Sequence, residues 1–281
     1  MLKNNNLVKS KRSTPALTSN RYNNLLKSKR SQITIFVIIA VLLVATILLL
    51  YLLYQNSIKP GLQKLQQDPN QVIEECVRVK VEEAANKLIE NGGYLEVKSP
   101  IKFKEFEYKK VPYLCYTSQN DKHCITQEPV LIEHLDDEIY SYIENDVESC
   151  FNNIKKDLED KDYKVTLGPS SFVVELLPRK ARIHIWKNFE ATKSDKSFSY
   201  TEFESVTSTP LYDLGIVAQE ITRQESKWCN SDYPLLMKMN KWVQITKFQT
   251  GDDNKIYDVK DTKTEKNWRF AIRGCVLDTP P

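Results

Sequence analysis

The sequence predicts an α+β domain that follows a single transmembrane helix. The first observation is an uncharged run of 22 residues, from Ile33 to Tyr54. A helix of that length is about 33 Å long, which is enough to cross a hydrocarbon core of roughly 30 Å. The second is a mixture of helix-like and strand-like patterns after residue 68, and the third is that all six cysteines follow the apolar run. A mean hydropathy of -0.46 leaves little apolar material to bury such a helix in a soluble core, so a membrane span is the preferred interpretation.

The predicted organisation has four parts. Residues 1–31 form a basic cytoplasmic tail or leader, 32–54 the transmembrane helix, 55–68 a polar stalk, and 69–281 an extracytoplasmic α+β domain. Two packed halves, 69–165 and 166–281, are an alternative description of the last part. Either way, the chain beyond the span is long enough to bury a substantial hydrophobic core.

Charge predicts the orientation of the span. Eight Lys or Arg residues and no Asp or Glu lie in residues 1–31, whereas the other 32 basic residues and all 37 acidic residues follow residue 54. Because Lys and Arg near a span are retained in the cytoplasm, we expect a cytoplasmic N-terminus and an extracellular C-terminal domain. The expected partners are the lipid bilayer and another envelope or surface protein. A mildly acidic body does not favour nucleic-acid binding.

The start of the span resembles a known signal. Residues 29–36 read Lys-Arg-Ser-Gln-Ile-Thr-Ile-Phe, which resembles the archaeal class III signal peptide of type IV pilin-like proteins. The resemblance implies cleavage between Ser31 and Gln32. Phe36 occupies the place of the glutamate that helps pair subunits in pilin filaments, and this departure counts against filament assembly. A filament subunit processed at this site is the alternative to an anchored protein. The layout also resembles uncharacterised single-pass surface proteins of small-genomed archaea, which implies a location and no activity.

Three helices are predicted in the outer domain. Asp68-Pro69 has the residue types of an N-cap and a first helical position, and Asn91-Gly92-Gly93 those of a C-terminal cap. The apolar stripe between them consists of Ile73, Val77, Val81, Ala84 and Leu88. A second stripe extends from Glu128-Pro129 to about Leu158, and a third begins at Thr209-Pro210.

Strands are predicted in three regions. The first, from Tyr94 to Tyr116, contains Pro112, which indicates an edge strand. The second comprises Tyr163–Leu167, Phe172–Leu177 and Ala181–Trp186, followed at 189–208 by either a loop or a long hairpin. The third comprises Trp242–Thr250, a turn at 251–254, and the runs Lys255–Val259 and Trp268–Val276.

Six cysteines in an extracytoplasmic domain predict a disulfide framework, for which fifteen pairings are possible. Cys115 and Cys124 flank a short polar turn and are expected to close it. Cys76 and Cys150 lie beside the stripes of two helices, which favours a bridge across a helix pair. Cys229 and Cys275 remain as the last pair.

No catalytic, metal or cofactor site is predicted. The sequence lacks a C-x-x-C pair, a phosphate-binding glycine loop and the common hydrolase and metalloprotease motifs. His123 beside Cys124 is read as an exposed turn histidine, and the acidic run Asp136-Asp137-Glu138, with Asp121, as solvated rather than cation-binding. We therefore expect a binding or envelope-structural protein and no enzyme, with an ectoenzyme whose site is non-local as a further alternative.

Overall fold

The computed structural model describes residues 36–49 and 68–276. Residues 36–49 are helical and are called α1 here; their side chains are exposed. Within the described ranges, no helix combines the length and apolar character needed to cross a membrane. The predicted span, Ile33–Tyr54, extends past α1 at both ends into residues outside the described ranges. The predicted processing site, Ser31 and Gln32, also lies outside them.

The second part of the chain, Lys64–Pro281, forms one compact unit. It is an α+β domain, as the sequence predicts. Its helices are α2 (Pro69–Glu90), α3 (Leu131–Glu159), α4 (Leu211–Trp228) and α5 (Tyr233–Met239). Its strands are β1 (Phe103–Phe106), β2 (Lys109–Tyr116), β3 (Ile125–Thr126), β4 (Lys164–Leu177), β5 (Lys180–Lys193), β6 (Lys196–Ser208), β7 (Val243–Gln249), β8 (Lys255–Asp261) and β9 (Asn267–Arg273).

The helix signals in the sequence are confirmed at α2. Asp68 caps the helix by accepting a hydrogen bond from the Asn70 amide, with Pro69 at the first turn. After Asn91, the glycines at 92 and 93 have φ values of 66° and 104°, which end the helix in the left-handed region. The predicted apolar stripe of α2 is buried throughout. Helix α5 was not predicted, although Asp232 caps it and Pro234 follows in its first turn.

The strands form two sheets. The larger has the order β1-β2-β9-β8-β7, with β3 also paired to β2, and only the β2–β9 pairing is parallel. The smaller is an antiparallel meander, β4-β5-β6. Residues 189–208, left open as a loop or hairpin, belong to the long β5–β6 hairpin. The predicted runs 163–167 and 172–177 are a single strand, β4, whose pairing shifts register between Leu167 and Ser170.

One strand of this region, β1, lies at the edge of the larger sheet as predicted, but the strand that carries Pro112 does not. Pro112 lies in β2, which has β1 on one side and β9 on the other. Pairing with β9 starts only at Tyr113, so Pro112 faces a partner strand on one side alone, opposite Phe103 of β1. The amide of the next residue, Tyr113, donates to the carbonyl of Lys102 just before β1, so the Pro112 nitrogen points away from β1. Its missing hydrogen therefore costs no ladder bond, which is why proline is tolerated inside this sheet.

The hydrophobic core is continuous across both sheets. It joins residues of α2, α3 and α4 to the inner faces of β4–β6 and of the larger sheet. A smaller apolar cluster (Val111, Tyr113, Ile256 and Ala271) lies apart from it. The helices are thus fixed between two sheets, and the disulfides and polar groups described next lie around that core.

Candidate functional site

The six cysteines form three disulfides, and they are the three pairs that the sequence analysis expects. The bonds are Cys76–Cys150, Cys115–Cys124 and Cys229–Cys275, with Cα–Cα distances of 6.0, 5.4 and 5.8 Å. Cys76–Cys150 joins α2 to α3 beside their packed stripes. No cysteine is free.

Two of the disulfides meet at the end of β9. The Cys275 amide donates to the Lys122 carbonyl at 2.7 Å, which ties the chain after β9 to the loop closed by Cys115 and Cys124. Gly274 lies against the same loop, where a Cβ atom would come within 2.9 Å of the Cβ and backbone nitrogen of Cys124. The close approach therefore requires glycine at this position.

His123 belongs to this loop and lies against the end of α4. Its Nδ1 is 3.5 Å from Cys229 Sγ and 3.0 Å from the Ser226 carbonyl oxygen. One ligand atom each from His123, Cys229 and Cys275 lie within 4.8 Å of one another. We call these three residues the histidine–disulfide cluster. Because metal ions bind the thiolate form of cysteine, the oxidised cluster is not a metal site.

The sequence reading of His123 as an exposed turn histidine is confirmed. The residue is exposed, as expected of a turn histidine, but its sulfur neighbour is Cys229 and not the adjacent Cys124. Cys229 is 106 positions away in sequence, so no local spacing could have indicated the contact. The sequence predicted the Cys229–Cys275 disulfide and the Cys115–Cys124 loop, but it gave no sign that the disulfide and the loop lie next to each other.

A buried polar network holds the end of α4 on which Cys229 lies. The Glu225 side chain is fully buried, and its carboxylate accepts from Lys255 Nζ and from the Tyr257 hydroxyl, both at 2.5 Å. Lys255 Nζ also donates to the Cys229 carbonyl at 2.5 Å. Burial, followed by the charge of Glu225, raises the pKa of Tyr257 far above its ordinary value, so the phenol stays protonated and donates.

Lys247 completes this network at 3.7 Å from Glu225. Desolvation lowers the pKa of its ammonium group, and the nearby carboxylate partly opposes that effect. Lys247 also donates to Asn230 Oδ1 at 3.1 Å. The network therefore ties β7 and β8 to the α4–α5 connection and orients the backbone of Cys229.

A surface groove borders the histidine–disulfide cluster. It has a volume of about 650 Å³, and residues between Tyr116 and Gln127 line it, His123 and Lys122 among them. Ile125 in its wall is 72% exposed. The groove gives solvent and small molecules access to the side of the cluster that carries His123.

The predicted acidic run has a structural use. Asp136 Oδ1 accepts from the Leu176 amide, and Glu138 Oε2 from the Leu95 amide, both at 2.9 Å. Burial is the main reason that the pKa of Asp136 is raised to about 6. Asp137 between them is exposed. Two of the three carboxylates thus hold backbone segments onto α3, a role that a sequence cannot distinguish from a solvated face.

The outer face of the smaller sheet carries exposed aromatic and aliphatic groups. Trp186 is 41% exposed, and its ring centroid lies 4.4 Å from that of His184, whose Nε2 is 3.7 Å from Glu202. Val173 and Val206 on the adjoining strands are also exposed. This face, like the groove beside His123, is open to solvent.

Comparison of the chain with protein-family models, with curated proteins and with solved structures found no match.

Proposed function

We propose that this chain is a single-pass, membrane-anchored cell-surface protein whose α+β domain binds a partner or an envelope component outside the cell. The observation that carries the proposal is the presence of three disulfides in the compact unit that follows the apolar run. Disulfides persist in oxidising compartments and are rare in reducing ones. A domain that uses all six of its cysteines in this way is suited to the extracellular side.

The apolar segment supports an anchor. Residues 36–49 are helical, and Thr46 is the only polar side chain among them. Its hydroxyl donates to the Leu43 carbonyl within the same helix at 2.9 Å, which satisfies the group without water. Basic residues 27, 29 and 30 precede the segment and support a cytoplasmic N-terminus.

The structural roles of the buried carboxylates favour binding over catalysis. Asp136 and Glu225, two carboxylates held in partly or fully buried positions, hold backbone and side chains of neighbouring elements. The exposed Trp186 face and the groove beside His123 are open surfaces. Such surfaces suit a partner that lies against the domain better than a substrate enclosed in a cleft.

Accessibility of the two chain ends tests the topology. In intact cells that express the full chain with a C-terminal tag, external protease should remove the tag while an N-terminal tag is protected. Replacing Lys27, Lys29 and Arg30 with Gln should reduce the fraction of correctly oriented chains. Lys59→Gln, on the opposite flank of the span, is the matched control and should leave the orientation unchanged. A C-terminal tag protected in wild-type cells would overturn the proposal.

Intact-mass measurement distinguishes the anchored protein from the filament alternative. The anchored form retains residues 1–31, whereas a processed pilin-like subunit begins at Gln32. Thiol alkylation without reductant should label none of the six cysteines in chains taken from the cell surface. Full labelling of all six would contradict an extracellular location for the domain.

A further inference from the structure

We propose that Cys229–Cys275 is a thiol–disulfide exchange site, at which an external thiol attacks Cys275 and His123 assists the departure of Cys229. The proposal does not depend on the membrane anchor. Its three grounds are the exposure of this disulfide, its contact with an ionisable side chain, and the groove beside it. Each ground separates it from at least one of the other two disulfides.

Accessibility is the first ground. Cys115 and Cys124 are both buried, and Cys150 of the helix-bridging pair is also buried, whereas Cys229 and Cys275 are both half-buried. Exchange requires a thiolate to approach one sulfur nearly in line with the S–S bond, so a disulfide with two half-buried partners is the most open to attack. The groove has His123 in its lining but neither sulfur, so it admits a small thiol to the histidine of the cluster, and attack on Cys275 takes place across the exposed part of its own side chain.

His123 supplies the second ground. The Nδ1 and Nε2 atoms of its ring lie 3.5 and 3.9 Å from Cys229 Sγ. An imidazolium beside a sulfur stabilises the thiolate that leaves during exchange. This contact makes Cys229 the favoured leaving group and Cys275 the favoured target.

A thiolate on Cys229 also requires a nearby cation, because Cys229 lies at the C-terminal end of α4. The partial negative charge of a helix C-terminus opposes a thiolate there. Lys255 Nζ donates to the Cys229 carbonyl at 2.5 Å and so places an ammonium group at that end of the helix. Because the Glu225 carboxylate accepts from the same ammonium group, His123 is the group that directly offsets the unfavourable dipole at the leaving sulfur.

The reaction is balanced without an oxidant. The external thiolate forms a bond to Cys275 Sγ, the Cys229–Cys275 bond breaks, and its electron pair stays on Cys229 Sγ as a thiolate next to His123. A second thiol can then attack the mixed disulfide, which releases Cys275 as a thiolate and oxidises the pair of external thiols to a disulfide. The chemical class of partner is a small or flexible thiol that can enter the groove.

Glutathione is the probe for the first test. The full chain, purified in detergent and folded, is treated with glutathione near neutral pH, quenched with an alkylating reagent and mapped by mass spectrometry after digestion. We expect glutathione on Cys275 and the alkyl label on Cys229, before either of the other disulfides reacts. Glutathione first at Cys76–Cys150 or Cys115–Cys124, or on Cys229 with the alkyl label on Cys275, would overturn the proposal.

The second test addresses His123. The variant His123→Ala should form the mixed disulfide about tenfold more slowly, as expected for loss of a cation about 4 Å from a developing thiolate at a partly solvated site. His184→Ala removes a histidine on the outer face of the smaller sheet and is the matched control, with an unchanged rate. Equal rates for His123→Ala and wild type would refute the assigned role. Unfolding curves of both variants exclude a general loosening of the fold.

Discussion

Asp136 should reduce the stability of the domain above pH 6, and Asp136→Asn should restore that stability. The carboxyl group is half-buried on α3, and burial is the largest cause of the rise in its pKa from 3.8 to about 6. Asp137, Glu175 and Glu133 add like charge. Because the folded state holds the proton more tightly than the unfolded chain, this group favours folding at low pH. That contribution is lost as pH rises from about 4 to about 6.

The magnitude follows from the shift. A rise of roughly two pKa units corresponds to an upper limit of about 3 kcal/mol, since one unit is about 1.4 kcal/mol. The side chain is only partly buried, so solvent screening reduces this to about 1–2 kcal/mol. Asparagine keeps an oxygen that can accept the Leu176 amide hydrogen at 2.9 Å and carries no charge. We therefore expect Asp136→Asn to stabilise the domain by about 1–2 kcal/mol at pH 7.5 and by close to nothing at pH 4.

Urea unfolding of the 64–281 unit with its disulfides intact, at pH 4, 5, 6 and 7.5, measures the difference between variant and wild type. Asp157→Asn, at an exposed position further along α3, is the control and should not produce a difference that grows with pH. The reasoning is refuted if Asp136→Asn and wild type have equal midpoints at pH 7.5, or if the same difference persists at pH 4.

Two further predictions concern the surroundings of the histidine–disulfide cluster. Glu225→Gln leaves the ammonium of Lys255 without its buried counter-charge and should destabilise the domain by about 3 kcal/mol in urea unfolding. Glu220→Gln, on the more exposed side of α4, should change stability by under about 1 kcal/mol. Gly274→Ala brings a methyl group against the Cys115–Cys124 loop and should cost about 1–3 kcal/mol, measured by thermal unfolding. Gly251→Ala, where a Cβ meets open space, should be close to neutral, and equal costs at the two glycines would contradict the packing argument.

The sequence predicted the helices well because their signals are local. Capping by Asp68 and the glycines after Asn91 involve groups within a few residues of the helix ends, and the apolar stripe follows from 3.6 residues per turn. The disulfide pairs were also predictable, since position relative to a helix stripe or a short turn restricts which cysteines can meet. Helix α5 was missed because seven residues are too few to establish a periodic pattern.

Sheet order was beyond the reach of the sequence. The placement of Pro112 depends on β9, which lies more than 150 residues later and pairs with β2 only from Tyr113 onward. Two short predicted strands became β4 because pairing resumes after the register shift near Gly168. Strand partners are chosen by contacts between distant segments, and a single sequence carries no record of those contacts.

By itself, the sequence predicted the α+β class, most helix boundaries and a preferred pairing of the cysteines, all of which the structure confirms, and it also predicted a membrane anchor and its orientation. Only the tertiary structure decided which strands are neighbours and that His123 lies against Cys229. It also decided that Glu225, an ordinary position on an amphipathic helix in sequence, is fully buried between Tyr257 and Lys255. The physical reason is that caps and stripes depend on neighbours in the chain, whereas burial, charge pairing and sulfur reactivity depend on neighbours in space.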